Sequence, residues 1–287
     1  MRLRPRPIAF ALACMTLGAC SVGGVLKWVT PGNGARTTGG IAFGPDPRHR
    51  LDVWAPPDAA AAPVVVFFYG GSWRGGERAT YAFVGKALAA RGIVTVVPDY
   101  RVYPQVRYPG FLRDAASAVA WTFREIAAYG GDPQRVFVMG HSAGAYNAAM
   151  LALDPRWLEH EKVDRARLRG WIGLAGPYDF LPIENPDVKP VFFHPDYPPA
   201  TQPIGHADAG APPTFLGAAA NDTLVDPVRN TDALARRLRE AGVAVTLRHY
   251  PSAGHMSLVA AFAGPLHPIA AVLEDTAAFV HAQRGTR

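Results

Sequence analysis

The feature that most restricts the fold is a regular alternation of short apolar runs with longer segments of helical period, which begins at residue 51. We predict the apolar runs to be strands, most of them buried on both faces, at 51–54, 64–69, 93–97, 136–139, 171–174, 214–218 and 243–250. The first of these alternates polar and apolar residues and is expected at the edge of the sheet. The segments with helical period lie at 81–90, 111–129, 143–153, 228–241 and 268–283. This order predicts an α/β fold with a mostly parallel central sheet and helices on both faces.

A proline-rich segment at 176–213 interrupts this alternation. A loop of that length in a compact domain is usually either functional or disordered. The segment also carries five aromatic side chains, at Tyr178, Phe180, Phe192, Phe193 and Tyr197. We therefore predict an ordered flap that packs over the edge of the sheet, with a mobile excursion as the alternative.

A nucleophile-elbow pattern, Gly-His-Ser-Ala-Gly, occupies residues 140–144. In such a turn the serine has a strained backbone, and side chains two positions before or after it would collide with the strand and the helix. The pattern alone has little specificity, but here it joins the predicted strand 136–139 to the predicted helix 143–153. It indicates Ser142 as a nucleophile at a helix N-terminus, where free amides favour negative charge.

A Gly-Gly-Ser-Trp run at 70–73 directly follows the strand predicted at 64–69. Acyl transfer needs hydrogen-bond donors aimed at the oxygen that becomes negative, and a glycine pair lets backbone amides approach it closely. We predict an oxyanion hole made of the amides of Gly71, Ser72 and Ala143. Taken alone, the glycine pair would be a tight turn. Trp73 either lines the acyl pocket or closes this turn against the core.

Candidates for the acid and the base of a serine nucleophile follow Ser142 along the chain. Asp222 comes after the strand predicted at 214–218, and His255 lies on the loop after the last predicted strand. The chain order Ser142, Asp222, His255 is the order found in α/β-hydrolases. We interpret His141, the neighbour of Ser142, as a packing residue whose side chain points away from the nucleophile.

These motifs together resemble the α/β-hydrolase superfamily, and within it the carboxylesterase branch with a His-Gly-Gly-x-Trp type oxyanion motif. That branch includes hormone-sensitive-lipase-like and feruloyl-esterase-like enzymes. The resemblance covers roughly residues 45–285, and its motifs lie at 51–54, 70–73, 98–101, 130–133, 140–144, 176–179, 221–225 and 254–255. The family places its acid before a Leu-Val pair, which implies Asp222 rather than Asp226. Tyr69 departs from the pattern, because the family usually has a histidine there that supports the loop.

The resemblance implies a serine carboxylic ester hydrolase that forms an acyl-enzyme on small to medium esters. Two alternatives stay open: an amide hydrolase of formamidase or peptidase type that uses the same triad, and a non-catalytic binding lipoprotein on a hydrolase scaffold. The sequence contains no nucleotide-binding fingerprint, and its two cysteines, Cys14 and Cys20, both precede the predicted domain. We therefore predict no cofactor and no metal.

The first residues have the pattern of an export signal, with a basic start and a short apolar run. The run ends in Leu-Gly-Ala-Cys at 17–20, which resembles a bacterial lipobox. We predict a lipoprotein signal peptide at 1–19, lipidation of Cys20, a tether at 20–44 and a catalytic domain at 45–287. The protein would then be exported and held on a membrane in the periplasm or cell envelope. Simple cleavage that leaves Cys20 as a free thiol is the alternative.

The positive charge of the chain does not indicate nucleic-acid binding. The formal net charge is +6, and three of the positive charges are arginines at positions 2, 4 and 6, inside the predicted leader. The rest are spread along the chain rather than gathered in the patch that nucleic acid requires. The expected partners are thus a small ester and, through the lipid anchor, a membrane.

Overall fold

The computed structural model describes Leu26 and residues 29–283 of the 287-residue chain. The predicted signal peptide at 1–19 and the predicted lipidation site Cys20 lie outside the described residues.

The described residues form one sheet of eight strands with the order β1-β2-β4-β3-β5-β6-β7-β8. The strands are β1 (Arg36–Ala42), β2 (Arg50–Ala55), β3 (Ala62–Phe68), β4 (Val94–Pro98), β5 (Gly131–His141), β6 (Leu168–Leu174), β7 (Thr214–Ala219) and β8 (Val245–Tyr250). β2 pairs antiparallel with both β1 and β4, whereas all the pairs from β4 to β8 are parallel. The predicted mostly parallel sheet is confirmed.

Seven α-helices connect or follow these strands in the described part of the chain. They are α1 (Ala82–Ala89), α2 (Gly110–Glu125), α3 (Ala143–Leu153), α4 (Arg156–His160), α5 (Ala233–Glu240), α6 (His255–Ala260) and α7 (Val272–Ala282). α2 packs against α3 and α4, while α1 packs against α7. Consecutive side chains in β3 and β4 are buried, so both faces of the central sheet are covered. None of the helices in this part of the chain has the length and apolar character needed to cross a bilayer.

The start of the domain differs from the sequence prediction in two ways. The segment 51–54 is not an edge strand, because β2 lies between β1 and β4. The strand at this edge of the sheet is β1, which lies inside the segment 20–44 that was predicted to be a tether. Its side chains are nearly all exposed, so no apolar run marks it in the sequence. Pairing with β2 holds it, and Asp52 on β2 adds a hydrogen bond to the Gly40 amide (2.7 Å).

The proline-rich segment 176–213 forms an ordered flap between β6 and β7. Its start is held by Asn230, whose side-chain oxygen accepts the amide of Tyr178 at 2.7 Å. Its later part is tied to α3, because the hydroxyl of Tyr146 donates to the carbonyl of Thr201 at 2.8 Å. Buried hydrogen bonds of this kind fix a loop to the domain.

Candidate active site

Ser142 lies on a sharp turn between β5 and α3. Its backbone has φ 56° and ψ −125°, a strained conformation for a residue with a side chain. The flanking glycines leave no room for a side chain. A Cβ on Gly140 would lie 2.0 Å from the carbonyl oxygen of Gly144, and one on Gly144 would lie 2.0 Å from that of Phe68. The turn therefore requires glycine on both sides of the serine.

We expect Gly144→Ala to lower the free energy of unfolding by about 1–3 kcal/mol, because the new methyl overlaps a backbone carbonyl that cannot move easily. Gly205→Ala is the matched control, since a Cβ there would meet nothing within 4 Å. Urea unfolding followed by circular dichroism measures both variants. Equal midpoints for the two would contradict this account of the turn.

The structure brings Ser142, Asp222 and His255 into one hydrogen-bonded line. Nε2 of His255 lies 2.8 Å from Oγ of Ser142, and Nδ1 lies 2.7 Å from Oδ2 of Asp222. The residues follow β5, β7 and β8, whose carboxyl ends share one edge of the sheet. His255 is the first residue of α6 rather than a loop residue. A carboxylate only accepts, so Nδ1 of His255 carries the hydrogen and Nε2 is free to accept the serine proton.

Asp222 is held as a carboxylate facing the histidine. Its side chain is 1% exposed. Its Oδ1 accepts the amides of Leu224 and Val225, both at 2.9 Å. Burial, the largest influence, raises the pKa of Asp222, but the hydrogen bonds from His255, Val225 and Leu224 together lower it below the usual value. Asp226 instead accepts the amide of Val228 at 2.8 Å. Asp222, and not Asp226, is therefore the carboxylate that contacts His255.

The turn at 70–73 packs directly on the serine. A Cβ on Gly70 would lie 2.9 Å from the Cβ of Ser142. The backbone has positive φ at Gly71 and Ser72, 125° and 52°. Within residues 29–283, the amides of Gly71, Ser72 and Ala143 donate to no protein acceptor. These three donors are free for a ligand beside Ser142, and their role as an oxyanion hole stays a prediction.

Trp73 closes this turn against the core. Its side chain is buried, and its Nε1 donates to Oδ1 of Asn147 on α3 at 3.0 Å. The indole lies within an aromatic cluster drawn from α2, α3 and the flap, formed by Phe111, Tyr146, Phe180 and Phe192. These contacts favour closure of the turn, rather than lining of an acyl pocket, as the role of Trp73.

Tyr69, at the usual histidine position, supports the turn from beneath. Its hydroxyl donates to Oδ1 of Asp99 at 2.8 Å and accepts from Arg48 at 3.1 Å. Its ring stacks between Tyr81 and Tyr100, at centroid distances of 5.4 and 4.8 Å. Burial and then the Asp99 charge raise the pKa of Tyr69 well above its usual value, so the hydroxyl stays protonated. The sequence carried no signal for this network, because its members are far apart along the chain.

We expect Tyr69→Phe to destabilise the protein by about 1–3 kcal/mol, because Asp99 and Arg48 each lose a buried hydrogen-bond partner. Tyr129→Phe is the matched control, since the Tyr129 hydroxyl makes no hydrogen bond within the described residues. Thermal unfolding of both variants provides the comparison. A Tyr69→Phe midpoint no lower than that of the control would refute a supporting role for the hydroxyl.

Within residues 29–283, no three His, Cys, Asp or Glu side chains form a group able to hold a metal ion. The expectation that the protein uses no metal or cofactor stays a prediction.

The chain is similar to known proteins in both sequence and structure. A family model described as BD-FAE matches residues 51–238, well over half of the chain. Esterase LipC of Mycobacterium tuberculosis is 31% identical over 236 residues, 75% of this chain and 58% of that protein. A rice protein named as a probable isoprenylcysteine alpha-carbonyl methylesterase, ICMEL1, is 37% identical over 147 residues, 49% of this chain and 35% of that protein. The chain thus spans only about a third of the length of the rice relative.

Solved structures share the fold at lower identity. A Pyrobaculum calidifontis esterase has a TM-score of 0.72 at 20% identity, covering 91% of this chain and 89% of that one. A butyrate-bound esterase from Thermogutta terrifontis has a TM-score of 0.70 at 23% identity, covering 88% and 95%. These likenesses agree with the fold described above. The chain therefore belongs to the BD-FAE family, in the carboxylesterase branch of the α/β-hydrolase superfamily.

Proposed function

We propose that this protein is a serine carboxylic ester hydrolase that works through an acyl-enzyme. The observation that carries the proposal is the line Ser142–His255–Asp222, with hydrogen bonds of 2.8 and 2.7 Å. The relatives named as esterases and methylesterases support it. An intact set of three side chains also argues against a purely binding role on a hydrolase scaffold.

In the first step, Oγ of Ser142 attacks the ester carbonyl while Nε2 of His255 takes the serine proton. Asp222 stabilises the imidazolium that forms. The carbonyl oxygen becomes negative against the amides of Gly71, Ser72 and Ala143, and each such donor contributes roughly 3 kcal/mol to the barrier reduction. The C–O bond to the alcohol then breaks. The alcohol leaves with the proton from His255, and the acyl group stays on the serine.

In the second step, a water molecule gives its proton to Nε2 of His255 and attacks the acyl carbon. The tetrahedral intermediate again has its oxyanion against the same amides. Its collapse returns the proton to Ser142 and releases a carboxylic acid.

Exposed apolar side chains that lie near the acid and the base in the sequence support substrates with apolar groups. Leu224, Val228 and Met256 are 71%, 68% and 58% exposed, large fractions for such side chains. In the sequence, Leu224 comes shortly after Asp222, and Met256 directly follows His255. An apolar substrate group that passes His255 would bury part of this surface. We therefore propose small to medium esters, and the butyrate-bound Thermogutta esterase supports a short acyl group.

A substrate panel tests this function against its alternatives. Purified protein is assayed with p-nitrophenyl esters of graded acyl length and with the matched p-nitroanilides. We expect ester turnover with the highest kcat/KM at short to medium acyl groups. Higher kcat/KM for the anilides, or for N-formyl aromatics, would indicate an amide hydrolase. Binding without turnover, together with no reaction with an organophosphonate, would indicate a non-catalytic protein.

We further propose that Cys20 is lipidated and holds the exported protein on a membrane. The support is the sequence pattern of residues 1–20 alone, a basic and apolar leader that ends at a lipobox-like cysteine. Radiolabelled palmitate should enter the wild-type chain expressed in a bacterium and not Cys20→Ser. Equal labelling of both would rule out this site.

A further inference from the structure

His141 links the nucleophile elbow to His255, the proposed base. It precedes Ser142 at the end of β5 and is fully buried. Its Nε2 lies 2.9 Å from the backbone carbonyl oxygen of His255. The two imidazole rings are 4.9 Å apart between centroids. His141 therefore makes a hydrogen bond to His255 in addition to the packing that the sequence led us to expect.

The chemistry of the contact fixes the tautomer of His141. A carbonyl oxygen only accepts, so Nε2 of His141 carries the hydrogen and Nδ1 does not. Nδ1 is buried and has no partner among the described residues. Burial, and after it the charge of His255, lower the pKa of His141 to about 3. The side chain therefore stays neutral at ordinary pH, as a donor to the His255 carbonyl.

The loop before His255 is held by Asn221, whose amide donates to the carbonyl of Ala253 at 3.0 Å, whereas the bond from His141 acts on His255 itself. His255 is the first residue of α6, a helix of 6 residues, and it follows a loop in which Pro251 and Ser252 are exposed. The imidazole must nevertheless meet Ser142 and Asp222 at the same time. A displacement of about 1 Å in such a site can cost roughly a hundredfold in rate.

We propose that His141 is a positioning residue, whose Nε2–H holds the His255 backbone where the imidazole reaches both Ser142 and Asp222. The neutral ring also lies beside His255 without opposing the positive charge that the imidazolium acquires. The expected effect of His141 on kcat rests on the proposed ester hydrolysis, whereas its expected effect on the position of the His255 imidazole does not.

Two amide variants form a matched test. In His141→Gln the side-chain nitrogen can reach the place of Nε2, while in His141→Asn it stops near the place of Nδ1. Both put an amide into the same buried site, so similar losses of stability are expected. We expect His141→Asn to lower kcat by about 10- to 100-fold with little change in KM, and His141→Gln to retain most of the wild-type kcat.

A proton NMR measurement gives a readout that does not need turnover. The Nδ1–H of His255, bonded to Asp222, should give a low-field resonance in the wild type and in His141→Gln, and a shifted or lost one in His141→Asn. If the wild type hydrolyses no ester, the proposed function fails and this resonance still tests the positioning role. Equal kcat and equal resonances in the two variants would overturn the proposal, whether both match the wild type or both are impaired. If His141→Asn does not fold, a folded His141→Gln without the resonance would overturn it as well.

Discussion

Ser142→Ala is expected to lower kcat for ester hydrolysis by roughly a millionfold, to the residual rate that substrate binding and the predicted oxyanion hole sustain. Without Oγ, no atom attacks the carbonyl or carries the acyl group, and Nε2 of His255 faces a methyl group. Steady-state hydrolysis of p-nitrophenyl acetate by the purified variant measures the loss. The fold should be unchanged, because Ser142 sits on a turn whose constraint comes from its glycines.

Ser117→Ala is the matched control for this change. Ser117 lies on α2, and its hydroxyl donates to Glu161 at 2.8 Å, apart from the three site residues. Its kcat should equal that of the wild type. If the kcat of Ser142→Ala were within about tenfold of the wild-type value, Ser142 would not be the nucleophile.

Asp222→Asn is expected to lower kcat by about 10⁴-fold. Oδ1 of Asp222 is held by the amides of Leu224 and Val225, so an asparagine would keep its oxygen there and turn its NH2 toward His255. Nδ1 of His255 would then have to accept, and its hydrogen would move to Nε2. A histidine in that tautomer cannot take the proton of Ser142.

Asp226→Asn is the control, because it removes a carboxylate of the same loop that caps the Val228 amide and does not contact His255. Its kcat should stay within about twofold of the wild type, in line with a surface change. A larger loss in Asp226→Asn than in Asp222→Asn would reverse the assignment of the acid.

The sequence predicted the central sheet well, because its strands are buried on both faces and appear as unbroken apolar runs. The edge strand β1 was not predicted, for the opposite reason. Its side chains are exposed, and only its pairing with β2 makes it a strand. The helices α4 and α6 are 5 and 6 residues long, too short to show a helical period.

The candidate site was predictable where topology dictates it. Ser142, Asp222 and His255 each follow a strand of the parallel part of the sheet, so their side chains meet at one edge. The supports of the site were not predictable in this way. Tyr69 depends on Arg48 and Asp99, and Trp73 depends on Asn147. Such pairs join residues far apart in the chain, and their contacts appear only when the fold is known.

We propose that Ser142 becomes covalently acylated during turnover, and labelling with a fluorophosphonate probe shows whether its Oγ is the nucleophile. The protein is treated with the probe and digested, and the modified residue is located by mass spectrometry. We predict one adduct per chain, on Oγ of Ser142, and much slower labelling of Asp222→Asn. Ester hydrolysis by a protein whose Ser142 stays unmodified, or whose adduct lies on another residue, would show that Ser142 is not the nucleophile.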